Sequence, residues 1–215
     1  MNRSARLERA TTKRRTLTWV WRFAVLAIIL ALIATLIVRN TVFDVFRIES
    51  VSMQPTINPG QSIGVDRTAY HETAVERGDV IVLDGRGSFD PYQRDDFLQL
   101  MGRTLRLTGG DSTYVKRVIG VAGDTVSCCG PDGRVQINGQ SIDEPYLYPG
   151  NAPSEQPFTV KVPEGRVWVM GDHRARSEDS RSLLGSSGGG MIPVERILGK
   201  ATKVIWPLSD SKPLR

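Results

Sequence analysis

Three short segments of the sequence carry residue types that acyl-transfer chemistry needs. Ser52 lies in Ser-Met-Gln-Pro, Lys116 lies in an apolar run, and a polar, hydroxyl-bearing run covers 171–181. A serine hydroxyl attacks a carbonyl when a base accepts its proton, and a lysine can be that base if its amine is neutral. Unperturbed lysine titrates at about 10.4, so burial must lower the lysine pKa by several units. The segments predict a nucleophile–base pair of Ser52 and Lys116.

The alternative base is a histidine, since histidine is the usual partner of a serine nucleophile. The chain has two: His71 lies in a stretch that resembles an exposed loop, and His173 lies inside the polar run. We favour Lys116 because an extended strand puts Tyr114, Lys116 and Val118 on one face, which carries the amine inward beside an aromatic ring.

Further residues could support the predicted pair. Ser50 can donate its hydroxyl to a developing oxyanion together with the backbone N–H of Ser52, and Pro55 restrains the backbone that follows. Ser177 is a short hydroxyl that could orient a buried lysine amine. Charged residues of the polar run suit a network of charge-assisted hydrogen bonds; they are Asp172, Arg174, Asp179 and Arg181.

An apolar segment near the N-terminus predicts a transmembrane helix over 19–38. Trp19–Val38 is interrupted only by Arg22, and its 20 residues span about 30 Å as a helix, which matches a bilayer core. A cleaved signal peptide has a shorter apolar region that ends at a small-residue cleavage site, whereas this run ends at Val38-Arg39-Asn40. We therefore expect a retained anchor.

The charges predict the orientation and exclude one class of partner. Residues 1–18 carry six Lys/Arg and one acid, so they form a cytoplasmic basic tail, and 39–215 lie outside the plasma (cytoplasmic) membrane. Although the isoelectric point is about 9.5, the chain after Val38 has 21 basic and 22 acidic residues. That balance argues against nucleic acid as a partner.

The two cysteines, Cys128 and Cys129, are adjacent on the predicted translocated side. Metal sites need more ligands at wider spacing, so we expect no metal. A vicinal disulfide and two free thiols both remain open.

The remaining pattern predicts a mainly β fold, mostly antiparallel, with long loops and turn residues such as Asn138-Gly139 and Pro163-Glu164-Gly165. Residues 84–112 read as a surface insertion with one helical interval, Asp90–Leu107. Ser186–Gly190 reads as a flexible loop, and 204–207 as an edge strand. Nine strands are predicted: Phe43–Ile48, Ser62–Asp66, Asp79–Leu83, Tyr114–Val121, Thr125–Cys128, Arg134–Ile137, Phe158–Val162, Arg166–Met170 and Ile197–Trp206.

Taken together, four ordered segments resemble the bacterial type I signal peptidase family, in its compact single-span Gram-positive or actinobacterial form: 50–56, 77–83, 114–124 and 170–181. The resemblance implies a membrane-anchored serine endopeptidase that cleaves N-terminal signal peptides from exported preproteins after Ala-x-Ala-like residues. It implies a Ser/Lys dyad, an acyl-enzyme intermediate and no cofactor. The implied partners are preproteins emerging from the secretion machinery and the lipid bilayer.

The resemblance also assigns roles. Ser52 would be the nucleophile, Lys116 the base, Ser50 part of the oxyanion hole, and Ser177 a hydrogen-bond partner of the lysine. Residues that would hold the site rigid are Tyr114, Arg117, Asp172, Arg174, Asp179 and Arg181. Residues that would line the substrate pockets are Phe46, Ile48, Met53, Ile57, Ile63, Tyr114 and Val115.

The sequence departs from the family at two places. Glu49 and Val51 replace the Pro and Gly of the better-known Gram-negative members, and His173 replaces a frequent Asn. Two other functions remain as alternatives: a related Ser–Lys protease that processes pilin or surface proteins, and a non-catalytic membrane-tethered β domain.

Overall fold

The computed structural model describes residues 19–36, 42–90, 112–186 and 188–214. The chain divides into two units, Met1–Phe43 and Asp44–Arg215. Within the first unit the described helix is α1, Trp19–Leu36, with a mean hydropathy of 2.2 and no buried residue. By length and composition α1 can cross a membrane, as the sequence predicts; the last two positions of the predicted span lie outside the described residues.

The second unit is built on a large sheet in which every described register is antiparallel. Its order is β1-β2-β11-β3-β4-β9-β10, with β12 also paired to β11. Val, Ile and Leu dominate its central strands, which are buried along most of their length. The strands are β1 Phe43–Arg47, β2 Ser62–Asp66, β3 Val80–Asp84, β4 Thr113–Gly120, β9 Arg166–Met170, β10 Ile192–Pro193, β11 Ile197–Trp206 and β12 Lys212–Pro213.

A smaller antiparallel sheet has the order β7-β6-β5-β8. Asn138 and Gly139 join β6 to β7 with φ values of 53° and 80°, as a two-residue hairpin turn requires. Cys128, the last residue of β5, forms a disulfide with Cys129, which resolves the alternative that the sequence left open. The strands are β5 Thr125–Cys128, β6 Gln136–Ile137, β7 Gln140–Ser141 and β8 Phe158–Lys161.

Three buried apolar clusters hold these sheets together. The first packs the turn after β1 on β2, β3 and β11, and contains Met53, Ile57 and Ile63. The second joins the small sheet to β9 through Phe158 and Trp168. The third lies around Ile81, Leu83, Val118 and Val169. The clusters fix β4, the strand that carries Lys116, between β3 and β9.

The mainly β prediction is confirmed, and four predicted strands have the observed bounds: β2, β5, β9 and β11. The edge-strand interpretation of 204–207 is wrong, because Val204 pairs with Ile63 of β2 on one side and Lys212 of β12 on the other. The short β7, β10 and β12 were not predicted. Most of the predicted helical interval Asp90–Leu107 lies outside the described residues, as does Ser187 of the predicted flexible loop.

Candidate active site

Ser52 and Lys116 lie side by side, both buried. Ser52 belongs to the turn after β1, which the Ile57 N–H closes by donating to the carbonyl of Met53 at 2.9 Å. Lys116 lies in the middle of β4, paired with Ile81 of β3. Its Nζ donates to Ser52 Oγ at 3.2 Å, and the two residues are 3% and 6% exposed. That distance is within reach for proton transfer from the hydroxyl to a neutral amine.

Burial lowers the pKa of Lys116 from 10.5 to about 8. Desolvation is the largest cause, because removing the ammonium from water disfavours the charged form. Asp179 and Glu178 oppose the shift, and Arg181 reinforces it. The Tyr114 ring lies 5.8 Å from Nζ, as expected if the two side chains share one face of β4. The neutral amine is therefore much better populated near neutral pH than that of an ordinary lysine.

The Ser50 hydroxyl contacts both the hydroxyl and the backbone amide of Ser52. The hydroxyls of Ser50 and Ser52 lie 2.9 Å apart, and the Ser52 N–H points at Ser50 Oγ at 3.3 Å. The Ser50 hydroxyl and the Ser52 amide are therefore neighbours. Two such donors beside a nucleophile can stabilise an oxyanion.

Arg117, the neighbour of Lys116, anchors the opposite side of β4. Its guanidinium donates to both carboxylate oxygens of Asp172, at 2.9 and 2.7 Å, and to the carbonyl of Gly78 at 2.8 Å. Thr56 donates to the same carboxylate at 2.5 Å. Because Thr56 belongs to the turn that carries Ser52, this buried network ties the nucleophile's turn to β4.

The polar run forms a second network behind the Ser–Lys pair. Asp179 accepts from Arg181 at 2.9 and 2.8 Å and from the Gly171 N–H at 3.0 Å. Burial raises the pKa of Asp179, but Arg181 and the backbone donor outweigh it and hold that pKa below its usual range. Arg174 donates to the Gly171 carbonyl at 3.0 Å. The run is therefore rigidly held at Gly171.

Gly171 lies where the polar run meets the nucleophile's turn. A Cβ at Gly171 would collide with the Ser177 side chain and with the carbonyl oxygen of Ser52. That carbonyl also accepts from the His173 N–H at 3.0 Å. A side chain at this position would separate the two segments, so only glycine allows this approach.

One predicted contact, from Ser177 to Lys116, is not formed, and the two histidines lie as expected for a site without a histidine base. Ser177 Oγ is buried beside Gly171 and close enough to Asp179 to help lower the pKa of that carboxylate, but within the described residues it makes no hydrogen bond to Lys116. His71 is exposed. The His173 ring stacks on Tyr148 at 4.0 Å, and its Nδ1 is buried without a partner in the described part of the chain. Neither imidazole reaches Ser52.

The predicted pocket residues divide into two sets. Phe46 and Tyr114 are half-exposed, and Ile48 and Val115 retain 6% and 8% exposure. Met53, Ile57 and Ile63 have no exposed surface and lie in the first core cluster with Ile48 and Val115. They pack with Ile48, Val115 and the half-buried Phe46 and line no open surface themselves, whereas Tyr114 packs on the third cluster.

Three residues that contact this network were not predicted as site residues: Thr56, Glu144 and Tyr146. Thr56 directly follows Ser-Met-Gln-Pro, and its distance along the chain from Ser52 corresponds to about one helical turn. Glu144 and Tyr146 lie in a turn-rich stretch without periodicity, so no local pattern reveals them. Within the described residues, no group of three or more His, Cys, Asp or Glu side chains could hold a metal ion.

Comparison with known proteins matches residues 20–206 to the family described as signal peptidase, peptidase S26. A signal peptidase I of Mycobacterium tuberculosis (strain ATCC 25618 / H37Rv) is 36% identical over 92% of this chain and 75% of its own. A signal peptidase I of Bacillus licheniformis is 32% identical over 94% of this chain and 96% of its own.

A crystal structure of a signal peptidase I from Enterococcus faecalis V583 covers 60% of this chain and 98% of its own, with 25% identity and a TM-score of 0.40. The family match spans the Ser52 turn, β4 and the polar run, which the structure brings together. The chain therefore belongs to the signal peptidase family, peptidase S26, whose members are serine peptidases that cleave signal peptides.

Proposed function

We propose that this protein cleaves signal peptides by a Ser52–Lys116 dyad. The observation that carries the proposal is the 3.2 Å contact between Nζ and Oγ, made by a lysine whose pKa is lowered to about 8. Neutral Lys116 accepts the hydroxyl proton as Ser52 attacks the scissile carbonyl. The ammonium then protonates the leaving amine, and a water activated by the same lysine resolves the acyl-enzyme.

The oxyanion of each tetrahedral intermediate would be held by the Ser50 hydroxyl and the Ser52 N–H. Both donors lie beside Ser52 Oγ, and they contact one another. On substrate binding, the Ser50 hydroxyl would turn from Ser52 Oγ to the substrate oxygen. Hydrogen-bond donors directed at the developing negative charge stabilise the transition state.

The remaining site residues would hold this geometry. Arg117 and Asp172 fix the Ser52 turn to β4, while Arg174, Asp179 and Arg181 fix the polar run at Gly171. Asp179 also supplies negative charge that moderates the pKa of Lys116. Without that charge the lysine pKa would fall further, and the ammonium that must protonate the leaving amine would be less populated.

The substrates would be signal-peptide-bearing preproteins, cut after small residues. Phe46, Ile48 and Val115 retain some exposed surface and pack with the fully buried Met53, Ile57 and Ile63. The half-buried Tyr114 ring lies beside Lys116 Nζ. A close-packed floor resists enlargement, so a side chain larger than alanine costs on the order of 1–3 kcal/mol. A pocket of this kind would favour the small residues of Ala-x-Ala-like sequences.

We assign the membrane topology from the charges of the sequence. Residues 1–18 would be cytoplasmic, 19–38 would span the membrane, and 39–215 would be the extracytoplasmic peptidase domain, with 84–112 a surface insertion. Helix α1 has the apolar composition that this arrangement needs. Preproteins emerging from the secretion machinery would then meet the site on the extracytoplasmic side of the plasma membrane.

The test uses full-length protein purified in detergent micelles and a fluorogenic Ala-x-Ala peptide. We expect cleavage by the wild type and its loss in Ser52→Ala and Lys116→Ala, with folding preserved. His71→Ala is the matched control, since His71 is exposed. The rate constant should rise with pH between 7 and 9, as the amine loses its proton. A wild type that does not cut this peptide, or a Lys116→Ala variant that does, would refute the proposal.

A further inference from the structure

Two residues outside the predicted site lie behind both of its buried arginines. Glu144 and Tyr146 belong to the loop between β7 and β8. The Tyr146 hydroxyl donates to Glu144 Oε1 at 3.0 Å, so the two side chains form one unit. Neither has a role in the dyad, and neither touches Ser52 or Lys116 in the described structure.

Tyr146 packs its ring on Arg117. The guanidinium carbon lies 4.0 Å from the ring centroid, a distance at which the ring face attracts a cation. Arg117 is 1% exposed and bound in bidentate fashion to Asp172. The ring therefore closes off the face of the guanidinium and restricts it to the plane in which it meets the carboxylate.

Glu144 pairs with Arg174. Both side chains are almost completely buried, and both guanidinium nitrogens Nη1 and Nη2 donate to the carboxylate. Arg174 also donates to the carbonyls of Pro153 at 2.8 Å and Gly171 at 3.0 Å. Glu144 thus supplies the counter-charge of a buried cation, and it orients the Nε that holds the Gly171 peptide.

The two arginines hold opposite sides of the same short segment. Arg117 binds the side chain of Asp172, and Arg174 binds the carbonyl of Gly171. That segment contacts the nucleophile's turn directly, because the His173 N–H donates to the Ser52 carbonyl and Gly171 packs against the same oxygen. A shift of either arginine would move the backbone of Ser52 relative to Lys116.

We propose that Glu144 and Tyr146 are positioning residues for peptide cleavage. They act through Arg174 and Arg117, and together they set the place of the Ser52 backbone against the β4 lysine. This inference rests on the proposed function, because its readout is cleavage by the dyad. By this proposal, the loop between β7 and β8 of the small sheet contributes to catalysis at a site built on the large sheet.

The experiment compares Tyr146→Phe, Tyr146→Leu and Glu144→Gln in the full-length, detergent-purified protein with the fluorogenic peptide. Tyr146→Phe keeps the ring over Arg117, so its kcat should stay within about threefold of wild type. Tyr146→Leu and Glu144→Gln should lower kcat about tenfold or more with KM nearly unchanged, because the contacts with substrate are intact. Rescue by phenylalanine separates positioning through the ring from loss of the hydroxyl.

Two controls remove simple loss of stability as an explanation. Tyr70→Phe deletes a phenol–carboxylate hydrogen bond to Asp79 of 2.8 Å, and Glu164→Gln changes an exposed glutamate; both should keep wild-type kcat. Thermal unfolding identifies the folded fraction of each variant. Arg174→Lys is measured alone and combined with Glu144→Gln. The kcat of the double variant should be no lower than that of the slower single variant, because both substitutions disrupt the same Glu144–Arg174 ion pair.

The outcomes separate this inference from the proposed function. An active wild type in which folded Tyr146→Leu and Glu144→Gln keep wild-type kcat overturns the positioning role and leaves the dyad intact. If Tyr146→Leu does not fold, Glu144→Gln decides alone: kcat lowered at constant KM supports the role, and wild-type kcat overturns it. Multiplicative losses in the Glu144–Arg174 double variant also overturn it. An inactive wild type refutes the dyad itself.

Discussion

Lys116→Met should stabilise the fold while it abolishes cleavage. Lys116 is 3% exposed, and burial lowers its pKa from 10.5 to about 8. The unfolded chain, in which the amine is hydrated, therefore binds a proton more readily than the folded chain. Methionine has nearly the same length and no charge to desolvate, so it removes this cost and fills the same space.

The magnitude follows from the two pKa values. A pKa lower by about 2.5 corresponds to about 3 kcal/mol, at 1.36 kcal/mol for each pH unit. The variant also loses the hydrogen bond from Nζ to Ser52 Oγ, which contributes about 1 kcal/mol. The net gain at pH 7 should be about 2 kcal/mol, or an increase in Tm of about 4–8 °C for a chain of this size.

The gain should depend on pH in one direction. Because the folded pKa lies below the unfolded one, the cost to the wild type is fully present below about pH 8 and is lost as the pH rises towards 10.5. The advantage of Lys116→Met should thus shrink by about 2 kcal/mol between pH 7 and pH 10. Titrating groups that do not interact with Lys116 are shared by both proteins and cancel in the difference.

The assay is thermal unfolding of the full-length proteins in detergent micelles at pH 7 and pH 10. Lys203→Met is the matched control, since it makes the same substitution at an exposed lysine and relieves no burial. If Lys116→Met is no more stable than wild type at pH 7, or if its advantage is the same at both pH values, the lysine pKa is not depressed by burial and the reasoning fails.

Three further predictions test other parts of the site. His173→Ala should keep at least a tenth of the wild-type kcat/KM, because its ring stacks on Tyr148 and does not reach the nucleophile; a loss equal to that of Lys116→Ala would favour a histidine base. Ile48→Ala should allow cleavage of a model preprotein that has leucine before the scissile bond. The measurement is the ratio of the cleavage rates after leucine and after alanine, and an unchanged ratio would contradict the proposed role of Ile48 in the substrate pocket. A reporter that is active only outside the cytoplasm, fused after Arg215, should be active; activity of a cytoplasm-only reporter there would reverse the topology.

Much of the fold could be predicted because apolar runs and turn residues mark strands locally. β2, β5, β9 and β11 end where the sequence places Gly, Pro, Asp or Cys after a run of β-branched residues. Two-residue strands such as β10 have no periodicity, so they are visible only from their partners. The interior place of β11 in the sheet depends on β2 and β3, which pair with it from distant parts of the chain, and an apolar run alone cannot reveal it.

The site was predictable where chemistry imposes a residue type on a short segment. The adjacency of Ser52 and Lys116 follows from the motifs that carry them, and the structure gives the distance. The contacts of Glu144 and Tyr146 were not predictable, since cation–π and buried ion pairs join segments about 30 residues apart without a local pattern. The orientation of Ser177 depends on how closely Gly171 approaches Ser52, which is a property of tertiary packing.

The register of β3 and β4 has a consequence for engineering this protein. Asp84 pairs with Thr113, and the Gly85 N–H donates to the Ser112 carbonyl at 2.8 Å, so the hairpin is closed before the connecting segment begins. The position of Lys116 is set by this closure and by its pairing with Ile81. It therefore does not depend on the length of the segment that connects β3 to β4. In general, doubling the length of a loop adds only about 0.6 kcal/mol to the free-energy cost of closing it. An affinity tag or a small domain could therefore be inserted between 91 and 111 without displacing the base, whereas a one-residue insertion within 113–116 would exchange the facings of Lys116 and Arg117.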